Sequence, residues 1–287
     1  MPRVSVLMPV YNTKPEHLRE AIDSILAQTF EDFEFLILND CSPNADVEEV
    51  VKSYTDPRIV YAVNERNLGI SGSRNRLLDM AKGEYLAVMD HDDISLPERF
   101  AKQVAFLDAH PEVGVVGTQI YNTVSKKEEF FPIKDVDVKK ALMLFSPFSH
   151  PSVMFRAYVL KEHHIGYEEF FSPAEDYALF CRLLPYTKFA NLPEILFHYR
   201  NWGGNTTHLR KVEMESATLG IQQFVRSGSP EIWAMAQYHM KTSEHIKIFG
   251  IPIFLIVRTH HFEEWKLFDV IPVFKRKYRP VGSKFLR

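Results

Sequence analysis

Residues Val4 to Met8 are nearly all apolar, the run expected of a strand buried on both faces. Thr13 and Glu16 stand at capping-box spacing, with Pro15 in the first turn of the helix they would open. Leu18, Ala21, Ile22, Ile25 and Leu26 then recur at helical intervals, which predicts one apolar face. Further strands are predicted over Phe33 to Leu38, Arg58 to Val63, Tyr85 to Met89 and Val113 to Val116. Helices are predicted over Asp46 to Tyr54 and over Ser71 to Ala81, the latter closed by Gly83 as its C-terminal cap. Pro97 opens another, carrying Phe100, Val104 and Leu107.

This alternation implies an α/β fold with a mostly parallel central sheet flanked by helices. Ligands of such sheets sit outside the carboxyl ends of the strands. Those ends carry Pro9 to Tyr11, Asp40, and Asp90 to Asp92, so polar and aromatic groups distant in sequence are expected along one edge. The second half is less regular: a hairpin at 119–131, strands at 151–156 and 192–199, and a helix at 174–184. Past about 205 the pattern turns helical. It ends in a weak repeat, in which 247–254 and 266–274 share an apolar-proline rhythm. Two parts are therefore expected, an α/β domain over 1–204 and a helical, apolar appendage over 205–287.

Composition changes this picture little. The chain has 287 residues, 25% of them charged, with net charge -3, and such a balance does not favour nucleic acid as a partner. Its longest apolar tail run, Ile251 to Val257, is interrupted by Pro252 and too short to span a bilayer. The apolar N-terminal run is too short for a secretory signal and reads as a strand. Two cysteines, Cys41 and Cys181, are too few for a disulfide framework, which suits a reducing, cytoplasmic setting. The basic cluster Lys275 to Lys277 with Arg279, near Phe and Trp residues, fits either a solvated end or peripheral contact with an anionic membrane.

Asp90-His91-Asp92-Asp93 directly follows the predicted fourth strand and crowds three carboxylates onto one turn. Like charges this close favour a bound cation. A hard divalent ion on carboxylate oxygens would offset the charge that builds on a departing diphosphate. The same residues also suit a solvated loop, or a helix cap at Asp93 or Ser95.

Five segments decide between these readings: VSVLMPVYN at the start, LILNDCS near 40, NLGISGSRN at 67–75, GEYLAVMDHDD at 83–93 and AEDYALFCRLL at 174–184. In order and spacing they resemble the family 2 inverting glycosyltransferases, which have the GT-A fold, over about residues 4 to 200. The resemblance implies transfer of a hexosyl or N-acetylhexosaminyl group from a nucleotide-diphosphate sugar, with UDP as the expected nucleotide. The acceptor it implies is a glycan or glycolipid of the bacterial surface, such as lipopolysaccharide or capsule. Pro9, Val10 and Tyr11 would line the nucleoside pocket, and Asp40 would accept from the uracil ring nitrogen. Arg74 would lie on the base or phosphate side. Asp90-His91-Asp92 matches the family's DXD motif: Asp90 would approach the ribose and Asp92 would ligate Mn2+ or Mg2+, with Asp90 beside it. His91 occupies the motif's variable position in the nucleotide-sugar set.

The resemblance places the general base at Asp176, with Glu175 as second choice. Inversion needs such a carboxylate to take the acceptor hydroxyl's proton. Two acids in a helix's first turn are also a common dipole pairing. His150, Arg200 and Trp202 would border the acceptor, although packing or loop hydrogen bonding suits each as well. A dinucleotide-dependent oxidoreductase would need G-x-G-x-x-G after the first strand, where this chain has Pro9 to Thr13. A sugar nucleotidyltransferase would likewise want a glycine-rich loop there. An inactive nucleotide-sugar- or carbohydrate-binding module of the same fold would be expected to lose its base or metal acids, and both are present.

Overall fold

The computed structural model describes residues 1–200 and 210–232 and, beyond them, the backbone of four strands. The chain divides into two compact units, Met1–Gly228 and Ser229–Arg287. The first begins with β1 (Val4–Val10) and β2 (Phe33–Asn39), each buried along its whole length. Parallel pairing sets Val4 against Phe33 and Val10 against Asn39, so both strands end at one edge. β3 (Ile59–Val63) and β4 (Tyr85–Val88) join in parallel, on β2 and β1 respectively.

Val4, Val6, Met8 and Val10, alternate positions of β1, enter a core shared with helices α1 (Pro15–Leu26), α2 (Asp46–Lys52) and α4 (Arg99–Ala109). α3 (Gly69–Met80) contacts β1 and β2. Alternation of side chains across a strand delivers these two layers. In α1 the predicted apolar face is buried at Leu18, Ala21, Ile22 and Ile25. The predicted capping box is not formed. Pro15 is the first helical residue, so the cap falls on Lys14, one residue too late for Thr13 and Glu16 to cap each other.

The sheet then becomes mixed. Its order is β3-β2-β1-β4-β8-β6-β9-β5, with β7 on β6. β8 (Met154–Arg156) runs antiparallel to both β4 and β6 (Val113–Asn122). β9 (Lys188–Tyr199) lies parallel to β6, and the two-residue β5 (Ile94–Ser95) caps that edge. The predicted hairpin is β6 with β7 (Lys127–Glu129), while His150–Ser152 at the start of the expected 151–156 strand is a 3-10 turn. Helices α5 (Asp135–Leu142) and α6 (Ala157–Glu162) are further elements that the periodicity did not reveal. α7 (Glu175–Leu183) is the helix expected at 174–184.

Two glycines differ from expectation. Gly83 is not a left-handed cap. A Cβ there would stand 2.5 Å from the Ser5 amide nitrogen, so the residue is small because β1 passes against it. Among the described residues the left-handed glycine is Gly69, at φ +70°, and it starts α3 two residues before the predicted Ser71.

α8 (Lys211–Gly228) fulfils the helical pattern past 205, but it belongs to the first unit. Arg226 Nε donates to the Met143 carbonyl at 3.0 Å, and Ile221 and Val225 are buried. The division therefore falls after Gly228 and not at 204. The second unit holds strands where a helical appendage was expected: β10 (Thr242–Ile248), β11 (Ile251–Arg258), β12 (Phe262–Leu267) and β13 (Ile271–Lys277), antiparallel in that order. The two repeat copies occupy equivalent hairpins, with Lys247 opposite Pro252 and Lys266 opposite Pro272. The side chains of the basic cluster at 275–279 lie outside the described residues. Among the described residues, no helix is long and apolar enough to cross a membrane.

Candidate active site

Parallel strands deliver their loops to one edge. β1 leads into Tyr11, 47% exposed at the rim. The side chains of Pro9 and Val10 are buried in the sheet, so Val10 contributes its carbonyl, which accepts the Asp40 amide at 2.8 Å. Asp40, just past β2, is buried, and its Oδ1 accepts from Asn64 Nδ2 at 2.6 Å and from the Leu68 amide at 2.8 Å. Asn64 also donates to Ser73 Oγ at 3.0 Å, and its own Oδ1 accepts from Arg76. These three residues were missed in the sequence. The available signal was Asn64 itself, an amide closing an apolar strand at the edge where Asn39 closes β2.

The acidic turn follows β4. Asp90, His91 and Asp92 are half-buried and Asp93 is buried. The capping alternative falls, because α4 is capped at Glu98 without any side-chain bond. Ser95 Oγ instead accepts from Gln28 Nε2 at 3.1 Å. Asp93 Oδ1 accepts the Arg200 amide at 2.7 Å, and Arg200 Nε donates to the Asp92 carbonyl at 2.8 Å. Arg200, expected beside the acceptor, thus straps the turn and reaches Glu20 of α1 with its other arm. Burial, then Asp92 and Asp90, push the Asp93 carboxyl well above the usual range, while Arg200 pulls back. His17 of α1 is a further neighbour not read from the sequence. Burial, then Arg200, lower its imidazole, and Asp92 opposes them.

Beneath the turn lies Arg99, fully buried, donating to the Val88 carbonyl at 2.7 Å and to Gln103 Oε1 at 3.1 Å. Burial brings its guanidinium down to about 9, against the upward pull of Asp93.

Arg74 of α3 joins two parts of the edge. Its Nη1 donates to Glu175 Oε1 at 2.8 Å and its Nη2 to Asp90 Oδ1 at 3.3 Å. Burial alone would depress this guanidinium, but Asp90 and Glu175 together outweigh burial and raise it. Glu175 is buried and engaged, whereas Asp176, one residue on in the first turn of α7, is half-buried. Asp176 Oδ1 accepts the Tyr177 amide at 2.7 Å. Burial, then the charge of Glu175, push the Asp176 carboxyl up to about 6, with Arg74 opposing. His150 is an interior group behind Arg74: its Nε2 lies 2.8 Å from Tyr167 Oη, and burial followed by Arg74 holds it well below the usual histidine range. Trp202 lies outside the described residues.

Among the described residues, no three His, Cys, Asp or Glu side chains converge to hold an ion by themselves. Asp90 and Asp92 are nonetheless hard oxygen donors on one turn, as a divalent cation completed by phosphate oxygens would need.

The sequence and fold have relatives. An uncharacterized glycosyltransferase of Methanocaldococcus jannaschii is 35% identical over 207 residues, 69% of this chain and 71% of that one. The amylovoran biosynthesis glycosyltransferase AmsE of Erwinia amylovora is 30% identical over 208 residues, 68% of this chain and 75% of that one. Among solved structures, S. aureus TarS residues 1-349 in complex with UDP shares the fold at TM-score 0.63 and 19% identity, over 82% of this chain and 70% of that one. Residues 5–162 match the description of Glycosyl transferase family 2, and the chain belongs to that family, with the α/β fold of the GT-A type.

Proposed function

We propose that this glycosyltransferase is inverting and cation-dependent, moving a hexosyl or N-acetylhexosaminyl group from a UDP-sugar to a hydroxyl of a growing cell-surface glycan. The observation that carries this reading is the charge arrangement at one sheet edge. Asp40 faces the nucleoside end, Asp90 and Asp92 the phosphate end, and Asp176 stands beyond them, tied to the acids through Glu175 and Arg74. The TarS complex supports UDP as the nucleotide, and AmsE supports polysaccharide building.

Asp40 is a fixed acceptor: Asn64 and Leu68 occupy Oδ1, and no described residue donates to Oδ2. That oxygen suits a ring N–H such as that of uracil N3. The exposed Tyr11 ring offers a stacking face for the base. A cation held by Asp92, with Asp90 beside it, supplies charge neutralisation to the departing diphosphate when bound. Asp176 takes the acceptor hydroxyl's proton as that oxygen attacks the anomeric carbon from the face opposite the diphosphate. A carboxyl near 6 is ionised at neutral pH and remains a stronger base than an ordinary aspartate. Glu175 is already committed to Arg74, which leaves Asp176 as the base.

Both cysteines are free, as a reducing, cytoplasmic setting would have them. In this reading the second unit serves the acceptor or a membrane surface.

The test is a panel of nucleoside diphosphates with and without Mn2+ or Mg2+, read by melting temperature, followed by hydrolysis of the matching nucleotide sugars. UDP is expected to raise the melting temperature only with the cation present. An equal shift without it would overturn the cation assignment. Nucleotide binding with no turnover of any sugar donor would leave a binding module.

A further inference from the structure

We infer that Arg74 is a positioning residue that joins the base-bearing helix to the acidic turn, with Glu175 as its anchor on that helix. The inference rests on the functional reading above and extends it. Arg74 is 9% exposed and both its terminal nitrogens are engaged, so it acts through Asp90 and Glu175. Its guanidinium is a rigid planar fork, and each arm holds a different acid: Asp90 past β4 and Glu175 at the start of α7. Because one planar fork bonds both acids, a displacement of Asp90 is felt at Glu175 unless one of its two ion pairs breaks, the one to Glu175 buried and the one to Asp90 partly so. Breaking such a pair leaves an uncompensated charge in the interior and is strongly unfavourable.

The surroundings restrict Arg74 further. Its guanidinium carbon lies 5.4 Å from the Tyr167 ring centroid, and Tyr167 is held in turn by His150 at 2.8 Å. Burial, then the charge of Arg74, holds His150 below the usual histidine range, so it adds no second cation behind the first. Arg74 Nε and Glu175 Oε2 are both buried without a partner. The joint thus retains one spare donor and one spare acceptor, and can change its geometry without exposing either charge. Asp176 follows Glu175 directly, so whatever orients Glu175 orients the first turn that carries the base. Occupancy of the donor turn and placement of the base are then coupled through one side chain.

A mutant cycle tests this. Arg74→Gln and Glu175→Gln are each expected to lower kcat by about 30-fold or more, while the Kd for UDP with Mn2+ shifts by less than about 3-fold. The double variant is expected to be no slower than the slower single, because both remove one joint. Hydrogen exchange supplies a readout free of turnover. UDP with Mn2+ should protect the amides of 175–180 in the wild type, and should protect only the acidic turn in Arg74→Gln. Losses that multiply in the double variant, an Arg74→Gln effect lying in the UDP Kd, or protection of α7 that survives the change would each overturn the joint. If Arg74→Gln does not fold, Arg74→Lys keeps the charge without the fork, and a normal kcat in that variant is equally fatal. Failure of the wild type to bind UDP would count against the donor assignment alone. The same cycle would then be run with GDP, whose ring also presents an N–H to Asp40.

Discussion

Asp176 offers a test in which activity and stability move in opposite directions. Its carboxyl is shifted from an ordinary 3.8 up to about 6 by burial and by Glu175. Because its folded value is raised, the proton it holds stabilises the fold fully below the unfolded value. That stabilisation is lost as pH rises through about 6. Each unit is about 1.4 kcal/mol, so the ionised carboxylate costs the fold up to about 3 kcal/mol at neutral pH. Asp176→Asn removes the charge and keeps the shape. The variant should therefore melt about 5 °C above the wild type near pH ~8, with the two converging near pH ~4. Transfer should slow about 100-fold or more while UDP affinity is retained. Wild-type kcat should itself fall about tenfold per unit once pH drops below the Asp176 value. Calorimetric melts at the two pH values, beside single-turnover transfer, measure both effects. A variant no more stable than wild type at the higher pH, or one stabilised equally at both, would refute the argument that desolvation raises this carboxyl. Near-normal turnover would move the base elsewhere.

Asp92→Asn is expected to abolish cation-dependent transfer and the melting shift given by UDP with Mn2+, with the fold retained. Retained transfer would sink the ligand assignment. Asn64→Leu removes the 2.6 Å donor that fixes Asp40 and should weaken UDP by about 5- to 10-fold in calorimetric titration, with kcat close to wild type. An unchanged Kd would show that Asp40 needs no such support. Gly69→Ala places a Cβ in open space but forces φ +70° on an L residue, so it should cost about 1–2 kcal/mol in a denaturant titration. A neutral result would mean that this loop relaxes.

The parallel half of the fold was legible because β1 and β2 are buried on both faces and therefore mostly apolar, with Ser5 of one bonded to Glu34 of the other. Asp40 and the acidic turn were legible for a related reason: acids that interrupt such runs stand out. What escaped was short or depended on distant partners. β5 has two residues and exists only because β9 is there to pair with it. α5 and α6 are too short for a clear period. Arg200 could be picked out as polar, but its place behind the acidic turn depends on a strand contributed more than a hundred residues later. The link from Arg74 to Glu175 joins residues 101 apart, and no local pattern encodes it. The Thr13 box failed because the capping motif says nothing of proline's preference for the first helical position, which moves the boundary.

The fully buried Arg99 has a consequence for how this sequence can vary. It is a cation in the interior with an unpartnered Nη1, and Asp93, whose Oδ2 also lacks a partner, is the acid whose field opposes its loss of charge. Losing Asp93 would remove that field and leave the burial of Arg99, bonded to the Val88 carbonyl and to Gln103, unopposed. An arginine at 99 therefore depends on an acid at 93. In homologues, an apolar or amide residue at 93 should be accompanied by loss of arginine at 99, even where Asp90 and Asp92 are unchanged.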